Sequence, residues 1–271
     1  MDNRPVGVFD SGLGGLTAAR KIRSILPSED IIYFGDTSRV PYGGRSREIL
    51  LKYARQDVRF LRSFNIKAIV VACGTVSTTC LPQLQAENDL PVLGVVEPAC
   101  RRAVAVSKTR HVGLIATAAS VRSGTYEQII HALDPDVTVT ARACPLFVPL
   151  VENGRYERGD VVIETVAREY LEPIRGSGID TLILGCTHYP LLMDLIGEIM
   201  GPEVTLIDTG EEAAWELKRT LKAKNLLSDC AQEGTTTLYA SDQPEDFGSM
   251  AKHFLQEELK SPVLQVNIDR Y

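Results

Sequence analysis

Short runs of apolar, largely β-branched residues recur every few tens of residues along the chain: PVGVF, DIIYFG, IKAIVVA, LPVLGVV, HVGLIAT, VTVTAR, IDTLILG and VTLID. Runs of this length and composition predict strands. The segments between them carry a helical period instead. In GLTAARKIRSILP, Leu16, Ala19, Ile22 and Leu26 share one face, Arg20, Lys21 and Arg23 are displaced from it, and Pro27 marks the stop. Strand-period and helix-period segments that alternate in this way predict parallel βαβ units, an α/β fold whose sheets are flanked by helices.

The pattern also repeats. Val6-Gly7-Val8-Phe9 opens into Asp10-Ser11-Gly12, and roughly 110 residues further on Val112-Gly113-Leu114-Ile115 opens into Ala116-Thr117-Ala118. Ala68 to Ala72 likewise runs into Cys73-Gly74-Thr75, and Thr181 to Gly185 into Cys186-Thr187-His188. Two pseudo-symmetric lobes follow, the first built from residues 1–96 and 209–271, the second from 97–208. The tail's TTTLYASD, PEDFGSMAKHFLQEEL and VLQVNI return to extend the first lobe. Ligands of parallel sheets bind beyond the carboxyl ends of the strands. Cys73 and Cys186 both fall there, so lobes that face each other would bring one thiol from each side to a shared cleft.

Composition narrows the partners. A 271-residue chain with 44% hydrophobic residues supports one large core or two smaller ones. The net charge of −6 is spread along the chain without a basic run, which speaks against nucleic acid. The N-terminal stretch lacks an apolar signal region, and no segment approaches the ~18 apolar residues of a membrane span, so a soluble cytoplasmic protein is expected. Six cysteines without a C-x-x-C pair fit a reducing compartment. Cys80, Cys100, Cys144 and Cys230 read as structural.

Cys73, in VVACGTVST, follows an apolar strand, and a helix starting there would favour thiolate; its plain alternative is a small buried cysteine. Cys186, in LILGCTHYPLL, precedes a helix with Pro190 in its first turn and Gly201 at its end. His188 beside it is placed to relay a proton or orient a carboxylate, or is an ordinary hydrogen-bonded loop histidine. Asp10 and Ser11 open DSGLGG, whose glycines permit positive φ and close approach to a ligand. Gly12-x-Gly14, with Asp36 ending the next strand, also resembles part of a dinucleotide fingerprint, but Thr17 stands at the third glycine position. Pro41-Tyr42-Gly43-Gly44 is either a turn with a surface tyrosine or a loop closing over a carboxylate. Thr75, Thr117 and Ser120 are caps or oxygen-binding donors, and Glu152 is a solvated acid or a site residue. No H-E-x-x-H, Walker A or G-x-S-x-G motif is present, and no lysine is marked as a Schiff-base anchor, so neither metal nor cofactor is expected.

FDSGLGGLTAARKIRSILPSEDIIYFGDTSRVPYGGRS, VVACGTVST, CPLFVPLVE and LILGCTHYPLL together resemble glutamate racemases over most of the chain, in the same order. The resemblance implies two α/β lobes facing one cleft, a homodimer, and interconversion of L- and D-glutamate for bacterial peptidoglycan. It implies catalytic roles for Cys73 and Cys186, and substrate contacts from Asp10, Ser11, Pro41, Tyr42, Gly43, Thr75, Thr187 and His188. Family members commonly carry Asn after the first cysteine, whereas this chain has Gly74, whose backbone N–H is left to serve. The expected mechanism has two bases: Cys73 takes the α-proton of D-glutamate while Cys186 protonates the other face, and the reverse reaction exchanges the roles. Asp10 and His188 would tune the thiols. Racemisation of aspartate or a hydantoin, nucleotide binding, and non-catalytic glutamate binding stand as alternatives.

Overall fold

The computed structural model describes residues 2–271, and each apolar run becomes a strand: β1 (Val6–Asp10), β2 (Ile31–Gly35), β3 (Ala68–Val71), β4 (Val92–Gly94), β5 (His111–Ala116), β6 (Thr138–Ala143), β7 (Thr181–Gly185) and β8 (Thr205–Asp208). The tail adds β9 (Thr236–Ala240) and β10 (Leu264–Gln265). Two units result, one comprising the chain up to Val95 with Gly210–Tyr271, the other Val96–Thr209.

In the first unit six parallel strands lie in the order β10-β9-β2-β1-β3-β4. A strand covered on both faces reads as a continuous apolar run, and central β1 does so, with Val6, Val8 and Phe9 fully buried. The helix Leu16–Ile25 turns Leu16, Ala19 and Ile22 inward. Burying each Leu or Ile contributes about 1.5–3 kcal/mol. The tail sets β9 beside β2, with Thr236 opposite Ile31, and packs the helix Pro244–Leu255 against Leu16–Ile25. β10 is a two-residue, exposed edge, short enough to discourage further pairing.

A buried ion pair ties the amino-terminal ends of β2 and β3 together. Lys67 Nζ lies 2.5 Å from Glu29 Oε2 and donates to the Asp2 carbonyl at 2.5 Å. The Ser228 N–H donates to Glu29 Oε1 at 2.9 Å, fastening the returning segment to the same point.

The second unit orders its parallel strands β6-β5-β7-β8, the arrangement of β2-β1-β3-β4 in the first. The duplication extends to packing. A Cβ on Gly7 of β1 would lie 2.8 Å from Ile66 Cδ1, and one on Gly113 of β5 would lie 2.4 Å from Ile179 Cδ1. In both units, then, an isoleucine ahead of the third strand fills the space a side chain on the first strand would need. Among the described residues no helix is long and apolar enough to cross a membrane.

Candidate active site

With this strand order, the connections after β1 and β3 leave toward opposite faces of the sheet, which opens a crevice beyond their carboxyl ends. Asp10 ends β1 and Ser11 follows it, and Cys73, Gly74 and Thr75 follow β3. In the second unit Thr117 and Ser120 follow β5, while Cys186, Thr187 and His188 follow β7. Each unit therefore gathers its own candidates at equivalent points.

Asp10 is only 1% exposed, and its Oδ2 accepts from the N–H groups of Gly15 at 2.9 Å and Gly12 at 3.4 Å. The loop folds back on its own carboxylate. A Cβ on Gly15 would come within 2.6 Å of Asp10 Cβ, so close approach demands this glycine. None of Gly12, Gly14 and Gly15 takes the positive φ that the sequence suggested. The Cys73 thiol donates to Ser11 Oγ at 3.9 Å, whereas Asp10 acts on Cys73 through its charge. Burial first, and Asp10 second, push the thiol well up; the N–H of Val76 and the groups of Ser11 pull the other way without prevailing. Although Cys73 stands at the N-cap position of the helix Gly74–Thr79, the preference for thiolate that a helix start would give is outweighed by burial.

In the second unit His188 links two groups. Its Nδ1 lies 3.8 Å from Cys186 Sγ, and its Nε2 lies 2.9 Å from Glu152 Oε1, at the end of the helix Phe147–Glu152. Burial opposes a charge on the imidazole, but the hydrogen bonds to Cys186 and Glu152, with their charges, outweigh it and push the group up to about 10. Glu152 is therefore hydrogen-bonded rather than simply solvated. The turn after Cys186 is anchored by Tyr189, whose hydroxyl donates to the Cys144 carbonyl at 3.2 Å. Thr117 caps the helix Ala118–Ser123, accepting from the Ser120 N–H at 3.3 Å and donating to Ser120 Oγ at 3.1 Å. Cys80, Cys100 and Cys144 are buried as expected; Cys230 is exposed, against its reading as a packed residue.

Around Pro41–Gly44 the sequence reading needs correction. Tyr42 is no surface residue: its ring is buried and its hydroxyl contacts Asp36 and, at 3.3 Å, Asp57. The loop's outer side is backbone, since a Cβ at Gly43 or Gly44 would meet nothing within 4 Å. Asp36 bonds to Arg39, Tyr42 and Ser241, so it is not placed as the ribose acceptor of a dinucleotide site. Arg39, Gln56 and Asp57 escaped the sequence reading. Their one signal was Asp57 itself, three residues after buried Ala54 on the apolar face of the helix Arg47–Arg62.

Removing the Glu152 charge tests the chain through His188. Glu152→Gln is expected to lower turnover by about tenfold, the scale of a group that orients another. NMR titration should find His188 losing its proton at lower pH than in the wild type. An unchanged His188 titration together with unchanged turnover would separate Glu152 from the thiol.

These features define a class: a parallel α/β protein of two units that share a four-strand order, each with a thiol in the loop just after its third strand. Residues 19–217 match the family model described as Asp/Glu/Hydantoin racemase. A glutamate racemase of Geobacter metallireducens is 44% identical over 99% of this chain and 98% of its own. Among solved structures, a glutamate racemase from Bacillus anthracis superposes with a TM-score of 0.93 at 37% identity, covering 98% of both chains. One from Francisella tularensis, in complex with D-glutamate, gives 0.91 at 39% identity over the whole of both chains. The chain belongs to the Asp/Glu/hydantoin racemase family, among its glutamate racemases.

Proposed function

We propose that this protein interconverts L- and D-glutamate by a two-thiol mechanism, Cys73 serving one face of the α-carbon and Cys186 the other. The observation that carries the reading is the equivalence of the two thiols: each follows the third strand of a unit with the same strand order. Racemisation needs a proton removed from one face and delivered to the other, and two fixed groups accomplish this without one base travelling around the intermediate. The relatives named as glutamate racemases, and the D-glutamate complex among them, support glutamate as the substrate.

The residues then divide the work. Cys73, held as a thiol by burial and Asp10, is the proton donor when L-glutamate is consumed. Cys186 is the base in that direction, and the His188 Nδ1–H supports charge as it develops on sulfur or exchanges the proton onward. Glu152 fixes the imidazole. The carbanion adjoins a carboxylate, so its negative charge calls for preorganised donors; the backbone N–H groups of Ser11, Gly43, Gly44 and Gly74 and the hydroxyls of Thr75, Thr117, Ser120 and Thr187 are proposed to supply them, with Pro41 and Tyr42 shaping their loop. The mechanism calls on no metal or cofactor. A cytoplasmic homodimer supplying D-glutamate to peptidoglycan completes the proposal, its dimer open to test by light scattering.

The deciding experiment is circular dichroism of L-glutamate incubated with purified protein after dialysis against a chelator. The signal should decay to zero as the enantiomers equalise, and L-aspartate should lose its signal far more slowly, because a site built for the longer side chain leaves polar groups unpaired around the shorter one. A constant glutamate signal would remove the proposed activity. Equal decay of both amino acids would shift the substrate, and dependence on restored zinc would replace the thiol mechanism.

A further inference from the structure

The Pro41–Gly44 loop rests on a buried polar cluster whose protons can be counted. Asp36 follows β2, Gln56 and Asp57 come from the helix Arg47–Arg62, Ser241 follows β9, and Arg39 lies between them. Both Asp36 and Asp57 are fully buried. Arg39 donates through Nε to Asp36 Oδ2 at 2.5 Å, through Nη1 to Gln56 Oε1 at 2.6 Å and through Nη2 to Asp57 Oδ1 at 3.0 Å. Ser241 Oγ donates to Asp36 Oδ1 at 3.0 Å. The guanidinium also stacks 4.2 Å over the Tyr53 ring, which in turn packs against Tyr42.

The Tyr42 hydroxyl has one hydrogen and two carboxyl neighbours. Its closer contact, to Asp36 Oδ2, takes that hydrogen. Toward Asp57 Oδ2, 3.3 Å away, the phenol oxygen then offers only lone pairs, and an ionised Asp57 would set lone pair against lone pair. A protonated Asp57 donates instead. Charge leads to the same state: one guanidinium balances one buried carboxylate, and a second ionised carboxylate would stay uncompensated. Burial and the Asp36 charge hold the Asp57 carboxyl well above the usual range, with Asp10 adding to them, against the opposing pull of Arg39 and Tyr42.

We propose that Asp57 is a positioning residue: as a neutral carboxylic acid it donates to Tyr42, closing a charge-balanced chain through Tyr42, Asp36 and Arg39 that fixes the Pro41–Gly44 loop for substrate. The inference rests on the reading above that this loop touches substrate. The open outer side of Gly43 and Gly44 leaves the loop to be held from beneath, which is where the chain lies.

Asp57→Asn and Asp57→Ala separate the possibilities. The amide keeps both contacts, with Oδ1 accepting from Arg39 and Nδ2–H donating to Tyr42, so kcat and KM should stay within about twofold of wild type. The alanine variant should raise KM roughly tenfold while kcat falls less than about threefold, the pattern of lost binding geometry. Denaturant melts across pH supply a readout independent of turnover. An unfolded Asp ionises near pH 4, so if the folded group keeps its proton, wild type loses the Asp57 contribution to stability as pH rises above that point, a loss that the amide variant, otherwise titrating alike, does not share. The advantage of Asp57→Asn should therefore grow with pH. An amide variant as impaired as the alanine one, or losing ground to wild type as pH rises, would show that the cluster needs the charge and overturn the proposal. A destabilised Asp57→Ala with unchanged KM would refute the positioning role. Absence of turnover by wild type would remove the proposed function and the positioning role together, while the pH series would still report whether Asp57 carries its proton.

Discussion

Cys73→Ser and Cys186→Ser are each expected to lower racemisation in both directions by about 10²–10⁴-fold, the range in which a positioned general acid or base contributes. Serine preserves the size of the side chain and removes the acidity, so the loss reports chemistry rather than packing. What distinguishes two bases from one is the fate of the α-proton in D₂O. With both thiols present, early conversion of L-glutamate should place deuterium in the D-product and leave the recovered L-enantiomer largely protiated. Cys73→Ser keeps Cys186 and should still exchange the α-proton of L-glutamate; Cys186→Ser keeps Cys73 and should exchange that of D-glutamate. NMR of the α-position reads both. Retained racemisation in both variants, or one silent variant beside one dead one, would end the paired-thiol mechanism.

The largest loss of stability is expected from breaking the pair between Lys67 and Glu29. Lys67→Met leaves a fully buried carboxylate facing no cation and is expected to cost about 3–5 kcal/mol, read from the urea midpoint at constant slope. The double change Lys67→Met with Glu29→Leu removes both charges and should recover most of that cost, since apolar side chains of similar volume often replace a buried pair without penalty. The recovery falls short by about 1 kcal/mol for each hydrogen bond lost, because the Ser228 N–H loses its acceptor and the Asp2 carbonyl its donor. A double variant as unstable as the single one would show that the side chains hold the sheet by shape rather than by charge.

Much of the fold was readable because its central strands are buried on both faces, so that PVGVF and TLILG announce themselves without any neighbour being known. The same clarity exposed the repeat and placed both thiols at strand ends. The partners of the site residues were less readable. Glu152 and His188 are far apart in sequence, and only the packing of the helix Phe147–Glu152 joins them. Tyr42, between proline and glycines, could be read either as a surface residue or as part of a substrate loop; nothing local announces that its hydroxyl also reaches a helix that begins after it. The state of the Cys73 thiol stayed open between two readings for a related reason. A helix start can be inferred from sequence, but the depth of burial that opposes it cannot.

The way the second unit interrupts the first has a bearing on how the protein is made. Val96–Thr209 is continuous in sequence, so all four strands of its sheet leave the ribosome in one stretch and can assemble as soon as they emerge. The first unit has no such opportunity. β2 gains its outer neighbour only when Thr236–Ala240 has been synthesised, after the whole intervening unit. During that interval the edge of β2 offers unpaired backbone groups to any other extended chain. Long-range pairing of this kind is slow, and chains caught before it are prone to aggregate. Nascent protein halted before residue 236 should therefore hold a folded second unit beside an incomplete first one, and its demand for chaperones should end when β9 is released.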